Sequence, residues 1–453
     1  MLRDISTCDV SLTDADHVTH WNNMTLGFLA HGQSAPVHLG KLLEAAPGFA
    51  MAHAAKGLFS LLMGKRELVS VAQEALSTAQ TALKQGGATE RERLWVAALD
   101  GWLQGYPRLA IARMEDALRL NPADTLSMKL SHAVRFVLGD NIGMRRSIEA
   151  VMPAQGPDHP LHGYALGCLA FALEETGEYA AAEHAGRRGL DYATDDAWGL
   201  HAVAHVCDMT HRTRDGIALI EANASAWDHC NNFRFHVWWH KALLHLDEGD
   251  TDRVLALYDE KIRAEKTDDF RDLSNASSLL VRLELEGTDV GHRWSELAEL
   301  SEARMNDGCL VFADLHYMLA LSGDKRNDAV ARMTARVAQS ATQSGDMASV
   351  MADPGLLAAR GLSAFGEAQY GQAFENLRAA QPKFQTMGGS HAQRDVFERI
   401  TIEAGLRAGR LNETESLLLA RTSLRAGKPD AFAQSRMAQI AEARGLHVGL
   451  AAE

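Results

Sequence analysis

Residues 105–124 read GYPRLAIARMEDALRLNPAD. Ala110, Met114 and Ala117 fall at i, i+4 and i+7, one face of a helix, with small residues where a facing helix must approach closely, and Asn121-Pro122 ends it. A single hairpin cannot bury that stripe. Asp124 then reads as the N-cap of a second helix carrying Leu126, Leu130, Val134 and Val137, and Gly139 closes it. The unit is therefore a helix, a short polar turn and another helix, and it needs neighbours.

Working outward, the same marker, a helix ending in Gly before a short polar turn, recurs at Gly64, Gly139, Gly177, Gly249, Gly287, Gly323 and Gly409, with Thr213 and Ala368 in the same role. The period is about 37 residues, the signature of a helical array. About ten hairpins fill the chain, which predicts an all-α fold: a solenoid, or superhelix, of degenerate tetratricopeptide-like hairpins. The order Ala110, Met114, Ala117, Pro122 has the spacing of the second half of such a repeat, while Gly177-Glu178-Tyr179 with Ala182 and Gly371-Gln372-Ala373 with Leu377 and Ala380 keep only parts of it. Residues 1–15, with weak periodicity, read as a loosely packed N-terminal tail. Residues 16–453 read as one continuous helical-repeat domain, with an irregular loop near 339–355.

Composition narrows the function classes. Of 453 residues 46% are hydrophobic but only 6% aromatic, which suits packed helices more than sheet. No apolar run approaches the length of a membrane span, and the start stays polar through Asp16 without a signal-peptide block, so the expectation is a cytoplasmic protein with no membrane partner. Lys plus Arg number 45 against 59 Asp plus Glu, a net charge of −14, which argues against nucleic acid. Five scattered cysteines without a CxxC suit reduced thiols. No GxxxxGK[ST] and no strand-borne GxGxxG is present.

The 20 histidines are not evenly placed. His201 and His205 in WGLHAVAH stand at i and i+4, and His236 and His240 in FHVWWH repeat the arrangement 35 positions later at nearly the same phase before the next turn. Equivalent helices of neighbouring hairpins lie side by side, so four imidazoles can converge on the concave surface, with His132 and His316 at a related level on other first helices. Three readings stand: core or groove histidines bonded to carbonyls or carboxylates, a non-metal ligand or acid/base site, and a divalent metal held by His201, His205, His236 and His240. Ala202 and Val237 occupy the place of the HExxH glutamate, so zincin-type proteolysis is not indicated.

Gly389-Ser390-His391-Ala392-Gln393-Arg394-Asp395 carries the S-x-x-Q spacing of a capping box. The exposed N–H groups of that helix start, with Arg394 one turn in, also make a seat for a carboxylate or phosphate. His391 and Asp395 share a face, so Asp395 is expected to orient the imidazole. Arg282, a cation in an apolar helix, is expected to pair with Glu284 or with a carboxylate on a neighbouring helix, or else with a bound anion. Cys207 and Cys230 read as buried structural thiols, and Trp95, Trp102, Trp238 and Trp239 as packing anchors.

Taken together, Pro47 to His53, Arg91-Glu92-Arg93, Ala110 to Pro122, Trp198 to His205, His236 to His240, Tyr258-Asp259, Ser278 to Glu284, Arg293-Trp294, Asp314-Leu315-His316 and Gly389 to Asp395 resemble the tetratricopeptide repeat protein 38 family. The HAVAH, HVWWH and GSHAQRD strings carry most of the likeness, and the chain departs from it at Val281, where the family pattern has Trp. The resemblance implies an all-helical superhelix and singles out His201, His205, His236, His240, His316, His391, Arg394 and Asp395; Trp239 and Arg282 complete the candidate ligand-binding set. Two functions follow: a repeat protein whose concave groove holds a protein, a peptide or a small ligand, or an enzyme or metal-binding protein with a His-rich pocket inside a closed superhelix. An enclosed cavity would favour a small molecule, an open groove a partner.

Overall fold

A computed structural model of the chain describes residues 2–445. Helix follows helix from Ala15 to Ala443, and the only paired strands among the described residues are Leu2–Arg3 and Asp9–Val10. The unit at Gly105 folds as its pattern requires. Helices Glu90–Leu103 and Pro107–Leu120 form one hairpin, and Ala110, Met114 and Ala117 are buried against the helix Thr125–Val137, which Asp124 caps through Ser127 N.

Adjacent turns place a left-handed residue between the two helices of a hairpin. Glycine fills that position at Gly64, Gly105, Gly139, Gly177, Gly249, Gly287 and Gly409, but His211, Lys325 and Ala368 fill it elsewhere. Gly323 is thus the last residue of its helix, and the turn residue is Lys325 two positions on. Between Ser340 and Leu356 the chain makes an extra short helix, Asp346–Val350, and a wide turn through Pro354.

First helices of successive hairpins lie side by side, and the superhelix then turns back on itself. Arg66 reaches Asn306 O, Asp346 N donates to Gly105 O at 2.9 Å, Gln385 Nε2 to Gly139 O at 2.8 Å, Tyr179 Oη to Leu424 O at 2.7 Å, and Arg425 forks onto Asp208. The side-chain contacts in this series join residues between 217 and 246 positions apart. One superhelical turn therefore takes roughly six hairpins, and the second turn rests on the first. First helices caught between the two turns, His162–Glu174, Ala197–Met209 and Val311–Gly323, are buried on nearly every face, which is why their sequences are apolar all round.

The first 15 residues do not hang loosely. Asp4 is buried, accepts N–H bonds from Ser6 and Cys8 at 3.0 Å each, and binds Arg91 Nη1 at 2.6 Å. Arg91 holds Asp124 with Nε and Nη2, both at 2.6 Å, so one guanidinium ties the N-terminal hairpin to the cap of the helix Thr125–Val137. Val10 and Leu12 add apolar anchors, both buried in the core beside Trp21, but a segment this short shows no helical period to announce them. Arg91→Lys keeps the charge but loses the fork that serves two carboxylates. It is expected to lower unfolding free energy by about 1–2 kcal/mol in urea titration, and an unchanged midpoint would show the network to be idle.

Candidate functional site

The helix Ala197–Met209 starts at Asp196, whose side chain accepts from Gly199 N, and presents His201 and His205 one turn apart. The next first helix, Phe233–Asp247, presents His236 and His240 at the same level. All four rings are buried, His236 the most exposed at 9%. Their Nε2 atoms form a closed ring: His201 to His205 2.9 Å, His205 to His240 3.0 Å, His240 to His236 3.1 Å and His236 to His201 3.0 Å.

The outer nitrogens say which way the lone pairs face. Asn275 Oδ1 accepts from His236 Nδ1 at 3.0 Å, so the Nε2 of neutral His236 is an unprotonated acceptor. His205 Nδ1 lies 3.3 Å from Glu174 Oε2 and 3.3 Å from His391 Nε2, so its outer side faces a carboxylate and a fifth imidazole. Burial and the neighbouring imidazoles push His201 and His240 well below the ordinary histidine range, and burial takes His236 down to about 3. Four buried imidazoles with converging Nε2 atoms are a donor set for a transition-metal ion.

Around this ring lie the other candidates. Trp239 is fully buried and stacks on His236, with ring centroids 5.2 Å apart and planes at 15°. The Arg282 guanidinium sits 5.5 Å from the Trp239 ring centroid and donates to Ser278 O and Ala392 O. Its nearest carboxylate is Asp395 at 3.8 Å, on the helix His391–Arg407. Glu284, the partner expected on the same helix, accepts instead from Trp294 Nε1, because its position points it outward toward the next helix.

His391 joins the centre from the second superhelical turn. Its Nε2 lies 3.3 Å from His205 Nδ1 and bonds Glu174, so one buried carboxylate links the two histidines. Burial opposes a charge on His391, but Glu174 and Glu175 outweigh it and raise the group to about 9. Ser390 and Gln393 form the capping box. The seat at that helix start is filled from within: Glu175 accepts from His391 N at 2.8 Å and faces Arg394 Nη2 at 3.3 Å. Asp395 does not orient His391. It binds Arg399 and Arg421, whose two guanidinium groups outcompete the imidazole for the carboxylate.

His316 stands apart from the four. Its Nδ1 donates to Phe312 O at 2.7 Å and its ring packs on Phe397. Cys207 and Cys230 are buried thiols, raised by burial to about 11 and about 12, and Trp95 donates to Ser127 Oγ as an anchor.

A cavity of about 510 Å³ lies between the first and second turns, with a mouth beside exposed Pro36 and Lys56. His201 and His236 form part of its wall; His205 and His240 do not. Phe28, Phe59, Phe136, Trp198 and Phe233 are among its apolar lining, with Leu39, Leu62, Met63 and Leu310. Residues missed from sequence are Glu174, Glu175, Asn275 and Lys129. Lys129 and Asn275 carry a signal that was there to be read, a polar side chain on the buried face of an apolar helix, the same signal that marks Arg282.

No family model matches the chain. The crystal structure of the P58(IPK) TPR domain aligns at 14% identity over 87% of this chain and 99% of that one, with a TM-score of 0.19, a superposition too loose to carry argument about fold or partner. No described helix is long and apolar enough to cross a membrane.

Proposed function

We propose that the chain is a metalloprotein in which His201, His205, His236 and His240 hold one first-row divalent ion at the wall of a cavity that admits a small molecule. The observation that carries this is the closed ring of four Nε2 atoms with sides of 2.9–3.1 Å. Imidazoles about 2.1 Å from a central ion have neighbouring nitrogens about 3.0 Å apart in a square and about 3.4 Å apart in a tetrahedron. Without an ion, the ring closes only if His201 and His240 each share one Nε2 proton between two acceptors, a weaker arrangement for four buried groups. Glu174 behind His205 and Asn275 behind His236 are the outer partners that ligating histidines ordinarily have.

The small-molecule reading has more support than a partner-holding groove, because the inner helices are covered by the second turn and the free space between them is a cavity. We also place the chain in the tetratricopeptide repeat protein 38 family: HAVAH, HVWWH and GSHAQRD, the strings that carry the resemblance, meet at one centre in three dimensions. Five unpaired cysteines, four of them buried, support a cytoplasmic setting.

Elemental analysis of untagged protein tests the metal. The expected result is about one equivalent of Zn, Ni, Cu, Fe or Mn per chain, retained through gel filtration. Less than about a tenth of an equivalent, unchanged after each metal is added, would overturn it.

A further inference from the structure

Among the buried cations one lacks a carboxylate partner. Arg91, Lys241, Arg263, Arg282, Arg394, Arg421, Arg425 and Arg436 each have a carboxylate within 4 Å. Lys129 is 4% exposed and makes no such pair among the described residues. Its Nζ sits 4.7 Å from the centroid of the Trp198 ring, inside the lining of the 510 Å³ cavity. The helix Thr125–Val137 aims it there: Lys129, His132 and Phe136 fall at i, i+3 and i+7 and all three line the same space.

A buried ammonium against an aromatic face gains a cation–π contact, but that does not replace the hydration it gives up. The acids that sense Lys129 are the buried Cys168 thiol and Asp196. Burial pushes that carboxyl up to about 7, and it is already committed to capping the helix Ala197–Met209. The rest of the wall is mainly aromatic and aliphatic, with Arg271 paired to Asp269, Asp272 bonded to Thr267 and Lys56 exposed, and Asn275 Nδ2, on another lining residue, is a buried donor without an acceptor. A largely apolar chamber with one buried cation that has no carboxylate partner and one spare N–H is matched by a ligand with an apolar body and a single anionic end.

We propose that the cavity binds a small aromatic or alkyl carboxylic acid, its carboxylate paired with Lys129 and its body between Phe59, Phe136, Trp198 and Phe233. The site goes beyond the metal reading and stands without it, since Lys129 and the aromatic lining belong to the cavity whether or not the four histidines hold an ion.

Isothermal titration with 2-naphthoate, its neutral isostere 2-naphthamide, decanoate and 2-naphthyl phosphate tests it, on protein as purified and after treatment with a chelator. One naphthoate or decanoate per chain is expected to bind with a Kd below about 100 µM, and the amide about tenfold or more weakly. Lys129→Met should bring the acid down to the affinity of the amide, leaving the amide unchanged, while Lys129→Arg restores discrimination. Equal affinity for acid and amide in the unaltered protein, no binding of either acid, or tighter binding of the phosphate would each overturn the proposal. The first two comparisons need no variant, so they decide the matter even if Lys129→Met does not fold. Acid binding that survives chelation upholds the site whatever the metal content proves to be.

Discussion

Replacing His236 and His240 together with alanine is expected to abolish metal retention, from about one equivalent per chain to less than about a tenth. Both residues project from the helix Phe233–Asp247, so the change removes half of the Nε2 ring and leaves His201 and His205 as a bare i, i+4 pair on the neighbouring helix. A two-imidazole site cannot hold an ion against washing as a four-imidazole one does. The stability readout separates this from simple loss of packing. An ion bound at a thousand times its Kd adds about 4 kcal/mol to folding, so chelation should lower the melting temperature of the unaltered protein and leave that of the double variant where it is. His240→Gln, which keeps a polar group in the ring, should fall between the two. A chelator that shifts neither protein, or a double variant with undiminished metal, would mean that the histidines form only a buried hydrogen-bonded ring.

How much of this centre was legible depends on the range over which its parts are coupled. His201 with His205 and His236 with His240 are visible because helical periodicity and repeat register are both short-range rules: one fixes a face, the other fixes which faces adjoin. Glu174 and Glu175 are invisible by the same logic. They close a helix just before Gly177 and look like ordinary polar residues at a turn, yet Glu174 bonds His391 across 217 positions. For Asp395 the i, i+4 spacing points to His391, but the fold prefers the charges of Arg399 and Arg421. Lys325, which holds the left-handed position two residues after Gly323, shows the limit of a glycine marker: such a position strongly favours glycine but does not require it. The closure of the superhelix left no periodic trace, because contacts between its turns are single carbonyls, glycines and forked ion pairs at scattered positions.

Gly139→Ala tests that closure and is expected to lower unfolding free energy by about 3–4 kcal/mol. Gly139 has φ +63°, where an added Cβ costs about 1–2 kcal/mol by itself. The larger part comes from the second turn. The Cβ would stand 1.7 Å from Gln385 O, 2.6 Å from Gln385 C and 3.2 Å from Thr386 Cα, all backbone atoms that no rotamer change can move. Relief requires the turns to part, which also breaks the Gln385 Nε2 bond to Gly139 O. Gly177→Ala is the matched control: its φ is +84°, but its Cβ would meet nothing within 4 Å, so it bears only the local cost of about 1–2 kcal/mol. The excess of one variant over the other in urea unfolding is the contribution of contact between the superhelical turns, and equal losses would mean that the turns do not touch in solution. The same separation reaches the histidine centre. Gly388 and Gly389 lie three and four residues after Gln385 and lead into the helix that carries His391, so a protein forced open at Gly139 should lose the His391 bond to Glu174 while the Nε2 ring, built from two adjacent hairpins, stays assembled.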